Sequence, residues 1–364
     1  MSSFTIDYDI MLANTTNGTS TFSGSAPVEI STTIKDKIMK GFYVGISSLG
    51  IFGNIIVLIV LFSLAKMRKK LTSLFIINQS IVDALTALFL LLTTVLPPDG
   101  RVYKSLADDF YCRFWVTRFP LWLCIHCSTY NLVALTIERY VSVVHPVVHK
   151  LAFNRVKAML MVATTWLLSV THNLSGSMPY VYIAGGLCKM GIYNSKSVKL
   201  ANGIVGFCLI YLIPITILIY CYGRMAYALT TKNTSTATNA TSCSTGVQQS
   251  ANKSKPHSNM KARAGKNVIK TLMIVSTLFI LCNSWNQWFF FFIKLGVFDY
   301  RAFSTSFYQF SVVAMFANCC VNPFVYAAQY EEFQNGLRKI FCRWRNASVE
   351  PSVTLSPSAA ITTN

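Results

Sequence analysis

Seven stretches of the chain carry apolar residues over a length that can cross a bilayer, at about 41–65, 72–96, 112–143, 156–179, 200–228, 265–295 and 304–328. A spanning helix needs roughly 20 such residues to cross about 30 Å of hydrocarbon. The third, fifth and sixth stretches exceed that need and are expected to protrude. The sequence around them is polar. Residues 1–40 are rich in Ser and Thr and contain no apolar run of signal-peptide type. Residues 229–264 are low-complexity Ser/Thr/Asn sequence with scattered Lys and read as a disordered loop, and 343–364 form a Ser/Thr/Pro tail. Just past the seventh stretch, over 330–342, Phe333, Leu337, Ile340 and Phe341 fall on one helical face, the pattern of a helix lying on a membrane surface. The pattern predicts an all-α membrane protein, a seven-transmembrane helix bundle with a short amphipathic eighth helix.

Composition agrees. The chain is 53% hydrophobic and 12% charged, against about 25% charged residues in soluble domains. A net charge of +19 could point to nucleic acid, but the basic residues lie between apolar spans rather than on one soluble face. Their placement sets the orientation instead. With residues 1–40 outside, inner loops and tail hold 20 of the 32 Lys and Arg and four of the 13 acids, while outer segments hold 12 and eight. The Lys/Arg excess belongs on the inner side, which predicts a multi-pass protein of the plasma membrane with an extracellular N-terminus. The sequons at Asn14 and Asn17 then face outward as glycosylation candidates, whereas those at Asn233, Asn239, Asn252 and Asn346 face inward as chance matches. Of 11 cysteines only Cys112 and Cys188 fall on the oxidising side. A disulfide between them is expected, with two free thiols as the alternative. No cysteine spacing matches a zinc site, and no internal repeat is visible.

Polar residues inside spans are costly and mark function. Asp83 is the one acid deep within a span, and Ser128, Asn318 and Asn322 fall at similar depth. Together they offer oxygen ligands to a small hard cation; a buried polar network with a protonated carboxyl reads equally well. Glu138, Arg139 and Tyr140 end the third span, where an Arg can either pair with its neighbouring acid or simply snorkel. Asn322 and Pro323 lie near the end of the seventh span with Tyr326. Proline removes a backbone bond and kinks a helix, so this segment reads as a hinge. Cys342 closes the amphipathic segment as a palmitoylation candidate or a free thiol.

In order along the chain, these residues resemble the rhodopsin-like (class A) G-protein-coupled receptors from about residue 41 to 342. The resemblance is carried by Gly53-Asn54, Asp83, Cys112, Glu138-Arg139-Tyr140, Pro146, Trp166, Cys188, Pro214, Tyr222, Asn322-Pro323-x-x-Tyr326 and Phe333. It implies a receptor that opens at its inner end for a heterotrimeric G protein, with Arg139, Tyr222 and Tyr326 rearranging as helix six swings outward. It also implies a sodium site at Asp83, Ser128, Asn318 and Asn322, favouring the resting state, and no other cofactor. Arrestin and kinases are implied partners, with Thr354, Ser356, Ser358, Thr362 and Thr363 as phosphorylation candidates or plain tail. No enzyme signature is present.

Helix six departs from the family pattern. Where the family carries Cys-Trp-x-Pro, this chain reads Cys282-Asn283-Ser284-Trp285, and no proline occurs from 257 to 322. Phe279, Asn283 and Trp285 are expected to form an altered trigger. The interval from Cys112 to Arg139 is two residues longer than usual and contains Pro120. Gly265 falls where helix six would carry an acid facing Arg139, so Arg139 is expected to rely on Glu138. No acid lies between Phe110 and Glu138, against an amine ligand, and no lysine lies between Lys294 and Lys339, against retinal. Trp122, Asn286, Gln287, Phe290, Tyr308 and Gln309 are the expected pocket, for a peptide. A transporter or a receptor-like protein that no longer signals are the alternatives.

Overall fold

The computed structural model describes residues 34–97, 104–176, 179, 181–184, 186–190, 195–241 and 255–347. Asn14, Asn17 and the Ser/Thr residues of the tail lie outside them. Among the described residues seven long helices and an eighth of 17 residues frame the fold, with short helices between some of them. We label these eight α1 (Ile34–Ser63), α2 (Leu71–Val95), α3 (Phe119–Val144), α4 (Arg155–Gly176), α5 (Lys196–Phe207, Cys208–Leu212 and Ile213–Thr241 in one run), α6 (Lys255–Leu295), α7 (Ser306–Gln329) and α8 (Glu331–Ala347). Among the described residues six helices are long and apolar enough to cross a membrane. The other, α4, has 22 residues but carries Thr164, Thr165, Ser169, His172 and Asn173, which dilute its apolar character.

The outer face of the bundle is apolar, and its interior sets polar groups among an apolar core. Phe52, Ile55, Ile59, Leu160, Leu167 and Ile219 are exposed, while Asn54, Asn78, Asp83, Asn131, Ser169 and Asn322 are buried. The first set is placed to meet lipid, and most of the second set hydrogen-bonds across helices, as Asn78 does with Asn131 and Asn322 with Asp83. Gly53 permits one of the closest approaches: a Cβ there would lie 2.9 Å from Cγ of Pro323, so α1 packs directly against the proline of α7.

Two expected spans are redrawn by local chemistry. The third, read as one helix over 112–143, begins only at Phe119. Before it lie a short helix, Leu106–Tyr111, and a π-helical turn, Cys112–Val116; Arg118 is left-handed at φ 57°. Pro120 explains the break, since proline fits the first turn of a helix but not its interior. In α5 another π-helical turn, Cys208–Leu212, precedes Pro214, which has no N–H to give. The 229–264 loop, expected to be disordered, is partly helical: α5 runs to Thr241 and α6 starts at Lys255. The fold is also not helix alone. The loop before α5 contains an antiparallel hairpin, Val181–Ala184 with Leu187–Met190, pairing Ile183 with Cys188, and Gly186 supplies a positive φ in its turn.

Candidate functional site

Polar side chains converge midway along the bundle. Asp83 of α2 accepts hydrogen bonds at Oδ1 from Ser128 of α3 (3.0 Å) and at Oδ2 from Asn322 of α7 (2.7 Å). Gln79, one turn earlier on α2, donates its amide to Oδ1 at 3.0 Å and Oδ2 at 3.2 Å, and to Ser128 Oγ at 2.5 Å. Asn318 is buried one turn before Asn322 and does not bond Asp83. Asn54 ties α1 to α7, donating to the carbonyls of Gly50 (2.9 Å) and Cys319 (2.8 Å).

At the bundle end carrying Arg139, Glu138 is wholly buried. It accepts from Arg139 Nε at 2.5 Å and from the same guanidinium's Nη2. His149, on the short helix Pro146–Ala152, lies 2.8 Å from Glu138 Oε1 through Nε2. Tyr222 of α5 joins three helices: its hydroxyl lies 3.2 Å from Thr136 Oγ1 of α3, accepts from Ser276 Oγ of α6 at 2.9 Å and reaches the Leu272 carbonyl of α6 at 3.2 Å. Tyr326 is buried against Tyr330 and Phe333, and its hydroxyl has no partner. Asn267 of α6 donates to Glu331, and Lys70 pairs with Glu332, so α8 is fastened on two sides.

The other end is closed by the Cys112–Cys188 disulfide, which ties the hairpin to the π-helical turn before α3. Below it aromatic rings dominate. Phe289 and Phe290 of α6 meet Phe303 and Tyr308, with ring centroids 5.0–6.3 Å apart, and Trp122 of α3 meets Phe290 at 6.3 Å. Asn286 is 1% exposed; its Nδ2 lies 3.4 Å from Ser311 Oγ and its Oδ1 is buried without a partner. Gln287 is half-buried beside it, and Gln309 is buried on α7. A separate groove of about 590 Å³ between α3 and α4, lined by Tyr130, Phe153, Lys157 and Leu160 among others, faces the bundle's flank.

Residues 53–326 match the family of the "7 transmembrane receptor (rhodopsin family)". The chain belongs to that family. It is therefore a multi-pass membrane receptor and not an enzyme. Curated relatives include galanin receptor 2a of Danio rerio, 26% identical with 86% of this chain and 80% of the relative covered. Galanin receptor type 2 of Homo sapiens is 26% identical over 80% and 69%, and the allatostatin-A receptor of Bombyx mori 24% identical over 84% and 80%.

Within this receptor the expected residues fall unevenly. Asp83, Ser128 and Asn322 meet, and so do Glu138 and Arg139. Tyr140 turns aside to His145, at 3.4 Å, and to the ring of Tyr220. The helix-six trio is divided. Phe279 and Asn283 are buried, but Trp285 is 45% exposed and leans on Phe307 and Phe310 at the bundle's rim. Asn283 donates to the Phe279 carbonyl (2.9 Å) and Ser284 to that of Ile280 (2.6 Å), while Tyr211 of α5 donates to Ser284 (2.6 Å). Sequence reasoning missed Gln79, Asn131 and His149. Gln79 had a usable signal, an amide one helical turn from the acid that lies deep within a span. Cys342 is exposed on α8, and Phe333 is buried against the bundle.

Proposed function

We propose that this receptor is opened by an extracellular peptide at its disulfide end and passes the change to a heterotrimeric G protein at its Arg139 end. The observation that carries the reading is the closed fastening of Arg139 to Glu138. A guanidinium bonded twice to a buried carboxylate is withheld from any partner, and release would present it. The lysine and arginine distribution supports an inward-facing Arg139 end, a plasma-membrane location and an extracellular N-terminus, with Asn14 and Asn17 as glycan sites. Galanin, allatostatin-A and cholecystokinin, for which similar receptors are named, are peptides. Trp122, Phe290 and Tyr308 offer rings, and Asn286, Gln287 and Gln309 offer amides, a mixture that suits peptide side chains and backbone together. Ligand binding acts by population shift: it favours the arrangement in which α6 has left Tyr222 and Glu331. Cys342, exposed beside the membrane face of α8, suits palmitoylation. The tail's Ser and Thr residues suit kinases and then arrestin. The sodium ion that the resemblance implies does not fit the donor set around Asp83, because Gln79 turns its amide N–H groups to both carboxylate oxygens.

The test is nucleotide exchange on G proteins in membranes holding the receptor, with a peptide library applied from outside, for the wild type and Arg139→Ala. Exchange driven by a peptide and lost with Arg139 is the expected result. Ion or solute flux without exchange would reassign the chain to transport, and silence in both would reassign it to a receptor-like protein without signalling. Replacing Asn286 and Gln287 singly then tests the pocket, with unchanged potency in both removing them from it.

A further inference from the structure

The amides around Asp83 form a relay whose direction is fixed at one end. Trp166 of α4 carries an indole N–H, a group that donates and cannot accept. It donates to Asn78 Oδ1 at 3.0 Å. Asn78 must therefore present its Nδ2 onward, and it does, to Asn131 Oδ1 at 2.9 Å. Asn131 in turn presents Nδ2, to Gln79 Oε1 at 2.8 Å and to the Phe75 carbonyl at 2.9 Å. That carbonyl can only accept, so it enforces the same polarity independently. With its oxygen engaged, Gln79 has one face left for Asp83, and that face carries N–H. The orientation of an amide is ordinarily ambiguous; here a donor-only group and an acceptor-only group determine it.

A sodium ion at this carboxylate requires oxygen ligands, as hard cations do. Gln79 points a donor at both carboxylate oxygens instead. Ser128 is also spoken for: its proton goes to Asp83 Oδ1, and its oxygen accepts from Gln79. Asn322 meets Asp83 through nitrogen. One oxygen speaks for an ion, Asn322 Oδ1, which is buried without a partner, but it belongs to an amide whose nitrogen is the atom turned to the carboxylate. Reversing Gln79 to offer Oε1 would set its NH2 against that of Asn131 and break the relay through α2, α3 and α4. We infer that the Gln79 amide is the resident counter-group of Asp83, standing where a cation would, so that the resting receptor is insensitive to sodium.

Thermal unfolding of the purified full-length receptor tests this without a peptide or a G protein, so its outcome is separate from that of the proposed function. The midpoint is measured in sodium chloride and in choline chloride at equal ionic strength for the wild type, Asp83→Asn, Gln79→Leu and Gln79→Met. The wild type is expected to give the same midpoint in both salts. Gln79→Leu keeps the volume, removes the donor and leaves Asn131 its bond to Phe75; it is expected to gain a sodium-specific rise on the order of 2–4 °C. Gln79→Met serves if the leucine variant does not fold. A sodium-specific rise in the wild type that Asp83→Asn abolishes would overturn the inference. So would a wild type and a Gln79 variant that are equally indifferent to sodium, since Gln79 would then not be what keeps the cation out.

Discussion

The two ends of the bundle are held in different ways. The Arg139 end is fastened by directional polar contacts: Glu138 with Arg139 and His149, Tyr222 with Thr136 and Ser276, Asn267 with Glu331. The disulfide end is filled by rings of Phe289, Phe290, Phe303 and Tyr308 that meet at varied tilts. Hydrogen bonds weaken steeply with misalignment, so the first set is made or broken. Ring contacts tolerate several geometries at similar energy, so the second set can repack around a guest. The same helix, α6, crosses both regions. A graded adjustment at one end can therefore be converted into a two-state change at the other.

The largest expected effect is on the fastened end. Glu138→Gln removes a charge-assisted pair worth about 1.5–3 kcal/mol, so exchange without ligand should rise about tenfold or more while agonist affinity moves little. An unchanged basal rate would mean that the pair does not hold the resting state. On the adaptable end, Phe290→Ala should raise the half-maximal concentration of a peptide agonist about tenfold, the usual scale for a buried aromatic anchor, with basal exchange unaltered. A basal rise instead would show that the rings also restrain α6. A smaller change is expected from His149→Ala, which leaves Arg139 paired with Glu138: basal exchange should rise about two- to tenfold, the scale of one ordinary hydrogen bond. Equality with Glu138→Gln would make His149 the main restraint. Least of all should follow from Trp285→Phe. The ring lies at the rim, and potency and basal rate should both stay within about twofold, as for surface substitutions generally; a large loss of efficacy would return Trp285 to the trigger.

Much of this was legible in the residues. The apolar runs fall on the long helices, and the sidedness expected of the cysteines picked out Cys112 and Cys188. Depth alone set Ser128, Asn318 and Asn322 beside Asp83; Ser128 and Asn322 bond it, and Asn318 does not. Depth says nothing about azimuth, however, and there the reading of α6 failed. An α-helix turns about 100° per residue, so Asn283 and Trp285 stand some 200° apart and cannot share an interior face. Asn283 and Asn286, three residues apart, do share it, and both are buried. His149 was out of reach for another reason. Its contact depends on how the chain turns at His145 before the short helix that carries it, which no periodicity encodes. Gln79 was visible as an amide near an acid, but its direction is set through Asn131 and Asn78 by Trp166 on another helix.

The interrupted start of α3 has a consequence for length. Two additional residues inserted into an unbroken helix would displace everything beyond them by about 3 Å and some 200° of rotation. Either the disulfide or Arg139 would then face the wrong way. The π-helical turn at Cys112–Val116 and the left-handed Arg118 take up that excess before Phe119. They act as a coupling that changes the winding without changing the drive. The loop end of the receptor can vary in length while the phase of α3, from Trp122 through Ser128 to Arg139, stays locked to its neighbours.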